Sequence, residues 1–323
     1  MKENIYPVCV IGGGSAGTMA VLRTILNNDE CLFFPGTPKD KKRSRAFWVK
    51  KIENMPAHFH YQRGINEPNA ETLRWIQESA FKNNLILHEN TGVISLLKEG
   101  DLFKIIDSKN QIYFAQNVIL CTGVMDRQPE IKSSIESIFD FANAQTVDYC
   151  LICDGHHVLN KKAAVIGHSN EAAWVSIMLY ERYKPSQMSI LTNGKVAEFK
   201  SDTRKLIDRY EIKVVESLIT KIEGQKKGKI LDGFITESGS FIEADICFVS
   251  LGMIVYNELA KAIGVELDER GFVKADESGL TSVAGIYVAG DLKANTKKQI
   301  YTAWDHAVNA ANAINMKLRL SKR

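Results

Sequence analysis

Cys150-Leu151-Ile152-Cys153-Asp154-Gly155 sets two thiols at C-x-x-C spacing with a carboxyl group beside the second. Thiols so spaced can close a short reversible disulfide, and a helix beginning there would lower the pKa of one of them and favour its thiolate. Asp154 adjoins the pair and can move protons during exchange; the plainer role is to cap a turn with Gly155. Two other chemistries fit the same phrase: a buried structural pair, and a zinc site completed by His156 and His157. Four donors bunched this tightly do not match usual zinc spacing, and there is no second C-x-x-C. Redox cycling is therefore the preferred reading, with Cys150, Cys153 and Asp154 as catalytic candidates and no metal expected.

The second chemical feature is at the start of the chain. The apolar run Val8-Cys9-Val10-Ile11 leads directly into Gly12-x-Gly14-x-x-Gly17. After a strand and before a helix, this spacing is the dinucleotide fingerprint. The first glycine makes the tight turn, the second lets backbone approach a pyrophosphate, and the third lets helix and strand pack closely. A pyrophosphate would sit on the N–H groups opening the helix at Ser15 and Ala16. A lone glycine motif could be a structural turn; pairing with Gly290-Asp291 near the other end strengthens the binding reading. The run Cys31–Phe34 is followed by Pro35-Gly36 rather than by an acidic residue that would hold an adenosine ribose. A dithiol and a dinucleotide site on one chain imply a flavin disulfide oxidoreductase.

A second, altered glycine turn begins at Gly167. In Gly167-His168-Ser169-Asn170-Glu171-Ala172, Ser169 stands at the middle glycine and its side chain would crowd a pyrophosphate. Glu171 adds negative charge where a phosphate would lie. The next strand ends in Leu191-Thr192-Asn193-Gly194, with neither arginines for a 2′-phosphate nor a carboxylate for the ribose of NADH. The turn reads as retained architecture without nicotinamide chemistry.

These motifs need elements to hold them. The pattern predicts strands at 6–11, 31–34, 118–123, 163–166, 188–192, 246–252 and 285–291, and helices from Ser15 to about Asn27, at 70–83, from Glu171 to about Tyr183 and at 299–318. Meanders are expected over 92–115 and 213–236. Two halves with buried parallel strands imply an α/β chain of two doubly wound, Rossmann-like domains. Linkers just after Gly123 and just before Gly252 would make the first domain discontinuous, with the second inserted into it. The 323 residues suffice for two domains, and 45% hydrophobic with 24% charged residues is an ordinary globular composition. A net charge of +3 does not argue for nucleic acid, and no apolar run approaches the ~20 residues a membrane helix needs. No signal peptide is expected. Cys9, Cys31, Cys121 and Cys247 lie in apolar runs as small core residues, which suits the cytoplasm. The basic run Lys39–Arg45 is either a solvated loop or a patch for an acidic protein or an anionic cofactor; stacking of a ring on Trp48, His58, His60 and Tyr61 has no support in their spacing.

Together the motifs resemble the low-molecular-weight thioredoxin reductase family over nearly the whole chain: Gly12–Gly17, Thr122-Gly123, Cys150–Gly155 just before the second glycine turn, and Gly290-Asp291 followed by Lys298-Gln299. The resemblance implies an FAD-bound homodimer, with an FAD domain of residues 1–124 and 248–323 and an inserted NAD(P)-like domain of residues 125–247. Gly12, Gly14, Ser15, Ala16, Gly17, Thr122, Gly123, Gly290, Asp291, Gln299 and Ile300 would bind FAD, Asp291 at the ribityl chain and Gln299 near the ring. Cys153 would face the flavin, Cys150 would attack the disulfide of a thioredoxin-like or other protein, and Asp154 would be the general acid. The chain departs from the family at the second glycine turn and its arginine loop, at His156-His157, where aromatics are common, and at Trp304-Asp305-His306. These losses resemble the branch that does not use NADPH, in which ferredoxin or a second flavin is the donor. Lys39–Arg45 and Gly252–Glu258 look most like the diflavin-linked type. An NAD(P)H-dependent enzyme with a divergent pocket, and a flavin-bound redox sensor without turnover, are the competing readings.

Overall fold

In the first glycine region the chain builds a five-stranded parallel sheet. Its order is Ile286–Val288, Val118–Leu120, Val8–Ile11, Cys31–Phe34 and Leu85–Leu87. Every residue of Val8–Ile11 and Cys31–Phe34 is buried. Continuous apolar runs of this kind suit a parallel sheet covered on both faces. Val8, Val10, Cys31 and Phe33 face one core, and Cys9, Ile11, Leu32 and Phe34 face the other. The first core is closed by two helices, Ser15–Leu26 and Ile300–Leu320, where Ala303, Ala307, Ala310 and Ala311 join Ala16, Ala20 and Val21. Small side chains there allow close approach of the two helices.

The computed structural model describes residues 4–321. The chain divides into two compact units. One takes the chain up to Phe47, Ile65–Met125 and the chain from Val255 onward; the other takes Trp48–Gly64 and Asp126–Ile254. The expected domain boundaries left 48–64 in the first domain, but the folded segment packs with the second unit: Trp48 lies on Phe139 at 4.7 Å, and Lys51 N–H donates to Gln145 Oε1 at 2.8 Å.

The second unit repeats the parallel plan. Its sheet runs Val147–Asp148, Ile246–Val249, Lys162–Ile166, Gln187–Leu191 and Lys213–Val215, with the helix Asn170–Tyr183 after the glycine turn. Each unit also carries an antiparallel meander: Val93–Glu99, Leu102–Asp107 and Ile112–Ala115 in the first, and Ile219–Gln225, Ile230–Thr236 and Phe241–Glu243 in the second. The α/β architecture of parallel sheets is as expected.

Several elements depart from the sequence pattern. The strand expected over 6–11 is interrupted at Pro7, which has no N–H for a ladder. Ile5–Tyr6 instead joins the meander beside Ile112–Ala115. The helix expected at 70–83 spans Asn66–Glu78, starting earlier because Pro68 is tolerated in a first turn. Strands expected through 123, 252 and 291 stop at Leu120, Val249 and Val288, short of Gly123, Gly252 and Gly290, each at positive φ. Lys213–Val215 joins the parallel sheet rather than the meander.

Candidate functional site

In the first unit the three fingerprint glycines have separable roles. Gly12 has φ +112°, and a Cβ there would lie 2.3 Å from the Cys121 carbonyl oxygen. A Cβ on Gly17 would lie 1.7 Å from the Gly12 carbonyl oxygen. Both positions are closed by backbone. Around Gly14 a Cβ would meet nothing within 4 Å. Gly14 is also the N-cap of helix Ser15–Leu26, with no side-chain cap and no acidic residue in the first turn. The N–H groups opening that helix at Ser15 and Ala16 thus have no side-chain cap, an arrangement that suits an anion. The turn lies where Val8–Ile11 and Val118–Leu120 part, the switch point at which open α/β sheets bind ligands.

Other expected residues lie in the same unit, Gly290 directly against the turn. Gly290 has φ +78° and sits against Ala16, where a Cβ would come within 2.8 Å of the alanine methyl. Asp291 follows and pairs with Arg45, Nη1 to Oδ2 3.5 Å. Gln299 is buried and is the N-cap of Ile300–Leu320, so Ile300 opens a second helix there. Thr122 donates its hydroxyl to the Tyr256 carbonyl at 2.6 Å, a contact that anchors the chain near Gly123, itself at φ +70°.

Sequence reasoning read Arg45 only as part of a basic run, either a solvated loop or a patch for an acidic protein or an anionic cofactor. Within that run Pro38–Lys42 forms a short helix capped by Thr37 and Asp40. Lys298 lies 4.1 Å above the Phe272 ring, and burial lowers its ammonium to about 8, with Asp291 pulling the other way. Burial likewise lowers the His306 imidazole, and the neighbouring Lys293 adds to the effect. The C-terminal position of these cations, far in sequence from Arg45, hid their grouping.

In the second unit Cys150 and Cys153 are joined in a disulfide. Cys150 is the N-cap of the single turn Leu151–Asp154, and the Cys153 N–H donates to Cys150 Sγ at 3.1 Å. Asp154 is buried. One carboxylate oxygen of Asp154 lies within 4.8 Å of a ligand atom of Asp148 and of His157. The four remaining cysteines are buried and unpaired, and burial pushes the thiols of Cys9, Cys31, Cys121 and Cys247 well up. They are core residues, as their apolar runs imply.

His156 and His157 do not join the cysteines in a four-donor set. His157 Nδ1 meets Asp148 Oδ2 at 2.7 Å, its Nε2 meets Glu53 Oε2 at 3.1 Å, and His156 Nε2 meets the same Glu53 oxygen at 2.6 Å. Burial works against a charge on His157, but Asp148 and Glu53 outweigh it and push the imidazole up to about 9. Glu53 is lowered, first by its hydrogen bond to His156. Neither Glu53 nor Asp148 has a local sequence signal: they meet the histidines through the fold.

The second glycine turn is capped by its own side chain. A Cβ on Gly167 would lie 2.5 Å from the Ser250 carbonyl oxygen, the counterpart of the approach of Gly12 to Cys121. Ser169 is the N-cap, its hydroxyl accepting from the Ala172 N–H at 3.4 Å. The Glu171 carboxylate is lowered by hydrogen bonds from Ser169 and from its own backbone. Glu198 N–H donates to the His168 carbonyl at 2.8 Å, and Lys200 N–H to Asn170 Oδ1 at 3.0 Å. At the end of the next strand Thr192 donates to the Lys195 carbonyl, and Asn193 bonds the Glu130 carbonyl and the Ile219 N–H.

A disulfide at C-x-x-C spacing and an open dinucleotide turn define a nucleotide-dependent disulfide oxidoreductase by class. The sequence matches the pyridine nucleotide-disulphide oxidoreductase family over residues 6–311, and the chain belongs to that family. It is 26% identical over 324 residues to a thioredoxin reductase of Mycoplasmopsis pulmonis, covering 99% of this chain and 100% of the relative. It is also 26% identical to a thioredoxin reductase of Treponema pallidum, over 96% of each chain. Among solved structures, a thioredoxin reductase from Streptococcus pyogenes superposes with TM-score 0.80 at 20% identity, over 98% of each chain. The protein is a thioredoxin reductase-like flavoprotein oxidoreductase. FAD is the cofactor the family implies, and the first turn fits it: backbone approach is free at Gly14, the helix end is uncapped, and Gly12 and Gly17 tolerate no side chain. No helix among the described residues is long and apolar enough to cross a membrane.

Proposed function

We propose that this protein is a cytoplasmic, homodimeric FAD-dependent dithiol–disulfide oxidoreductase that reduces a protein disulfide of the thioredoxin type, and that its electrons come from a donor other than NADPH. Reduced ferredoxin or a second flavin are the donors proposed. The single observation that supports the donor reading is the second turn, where Ser169 caps the helix in place of a glycine and Glu171 adds a carboxylate to the first turn. A carboxylate already at the helix start repels a second anion.

When bound, FAD supplies two-electron redox chemistry. It would be held by Gly12, Gly14, Ser15, Ala16, Gly17, Thr122, Gly123, Gly290, Asp291, Gln299 and Ile300. The Cys150–Cys153 disulfide takes up two electrons and two protons and opens to a dithiol, with Asp154 delivering a proton on the Cys153 side. The Cys150 thiolate then attacks the partner's disulfide, forming one mixed disulfide and releasing one partner thiolate. Cys153 attacks the Cys150 sulfur, closing the intramolecular bond and expelling the partner as a dithiol. Electrons lost by the pair equal those gained by the partner.

Anaerobic mixing tests this reading, with flavin bleaching followed against NADPH, NADH, reduced ferredoxin and free reduced FAD. The expected result is slow bleaching with both nicotinamides and fast bleaching with one of the other donors. Fast bleaching by micromolar NADPH overturns the donor reading. Flavin per subunit, measured with and without added FAD, decides whether a second flavin binds. Cys150→Ser and Cys153→Ser should both abolish disulfide exchange, and Asp154→Asn should slow it by about 10²–10⁴ while FAD stays bound.

A further inference from the structure

Three side chains of the second unit aim donor atoms at one point beside the dithiol turn. Glu53 Oε2 lies 2.6 Å from His156 Nε2 and 3.1 Å from His157 Nε2, and all three ligand atoms fall within 4.8 Å of one another. His157 turns its other nitrogen to Asp148 Oδ2 at 2.7 Å. The Asp148 side chain is 2% exposed, whereas Glu53 and His156 are 39% and 47% exposed. We propose that Glu53, His156 and His157 form a binding site for a zinc-class divalent cation, with buried Asp148 as the residue that orients His157.

Four features point to this chemistry. Two imidazoles and one carboxylate are a donor set that zinc accepts with a fourth position left to water. The nitrogen–oxygen set disfavours calcium and magnesium, which take oxygen ligands. A ligating histidine characteristically donates its second ring N–H to a carboxylate, which fixes tautomer and ring orientation; His157 and Asp148 are so arranged. Ligand atoms around zinc at ~2.1 Å stand about 3.4 Å apart, so the Glu53 oxygen, 2.6 and 3.1 Å from the two imidazole nitrogens, needs to part from them by less than about 1 Å to admit an ion.

The site is not the four-donor set weighed and set aside from the sequence: Cys150 and Cys153 are tied to each other and take no part in it. Glu53 belongs to the excursion Trp48–Gly64, and His156 and His157 form the turn directly after Asp154. A cation there cross-links the excursion to the segment bearing the dithiol, independently of any electron donor. Entry of the ion displaces the protons now shared between the imidazoles and Glu53.

The experiment is equilibrium dialysis of the oxidised, FAD-loaded protein against zinc chloride, with the dithiol closed. The expected result is one saturable zinc per chain, weakened about tenfold or more by Glu53→Gln and by His156→Asn, and about 10–100-fold by Asp148→Asn. The first two positions are exposed and decide the matter even if Asp148→Asn misfolds. No saturable zinc, or zinc held undiminished by both surface variants, overturns the proposal. Zinc taken up only after reduction and lost in Cys150→Ser belongs to the thiols and overturns it equally.

Discussion

The two glycine turns stand at equivalent places in two parallel sheets, and they differ at the helix they open. In the first, Gly14 is an uncapped N-cap beside free space. In the second, Ser169 caps the helix and the Glu171 carboxylate, hydrogen-bonded by Ser169 and by its own backbone, stands in the first turn. Yet Gly12 and Gly167 make the same backbone approach, to Cys121 and Ser250 respectively. A glycine motif therefore has two parts that can be lost independently. The first glycine lets the turn pass close to backbone at the end of the neighbouring strand; the middle position is the one at which the two turns differ.

The largest effect is expected at Gly17→Ala, because its Cβ would lie 1.7 Å from the Gly12 carbonyl oxygen. Overpacking against backbone should cost about 3 kcal/mol and release the flavin, read by thermal unfolding and by absorbance of the retained cofactor. Gly14→Ala should separate the two parts. With nothing within 4 Å of its Cβ, stability should change by less than about 1 kcal/mol, while flavin affinity falls about tenfold, or about 1.4 kcal/mol. Equal losses of stability and flavin would break the comparison.

The reverse experiment opens the second turn. Ser169→Gly with Glu171→Ala should raise its affinity for ADP-ribose about tenfold by calorimetry, and no gain would mean that the 198–200 backbone alone keeps the site shut. Ser169→Ala by itself should cost only about 0.5 kcal/mol in urea unfolding, the low end for an N-cap, since its hydrogen bond is 3.4 Å long. The smallest effect concerns pH. Folding lowers the Glu171 carboxyl below its ordinary value of 4.5, so its contribution is full above that pH and is lost as pH falls through the folded value. Glu171→Gln should therefore be slightly less stable than the parent at pH 7 and indistinguishable from it in acid.

Much of this comparison was legible along the chain. Gly12–Gly17 after an apolar run, and Ser169 and Glu171 in the later copy, are local patterns whose meaning depends on neighbours a few residues away. Element ends were less legible. Pro7 splits a strand that hydrophobicity alone would continue, and the strands stop short of Gly123, Gly252 and Gly290 because each is needed at positive φ. The sequence set His156 and His157 apart from the cysteines as a zinc set but did not show where they turn: the helical turn at Leu151–Asp154 directs the two pairs to different partners.

The amino-acid order by itself determined the family, the dithiol and the difference between the two turns, since each rests on side-chain type at short spacing. Tertiary structure alone decided that Glu53 joins His156 and His157, that Asp148 orients one of them, and that Arg45 meets Asp291. Those partners are 9 to 246 residues apart in sequence by difference of their numbers, for instance 291 less 45. No local periodicity records such meetings. They arise where the folded chain, including the excursion at Trp48–Gly64, brings charge to charge, and burial adds weight only where it is deep, as at Asp148.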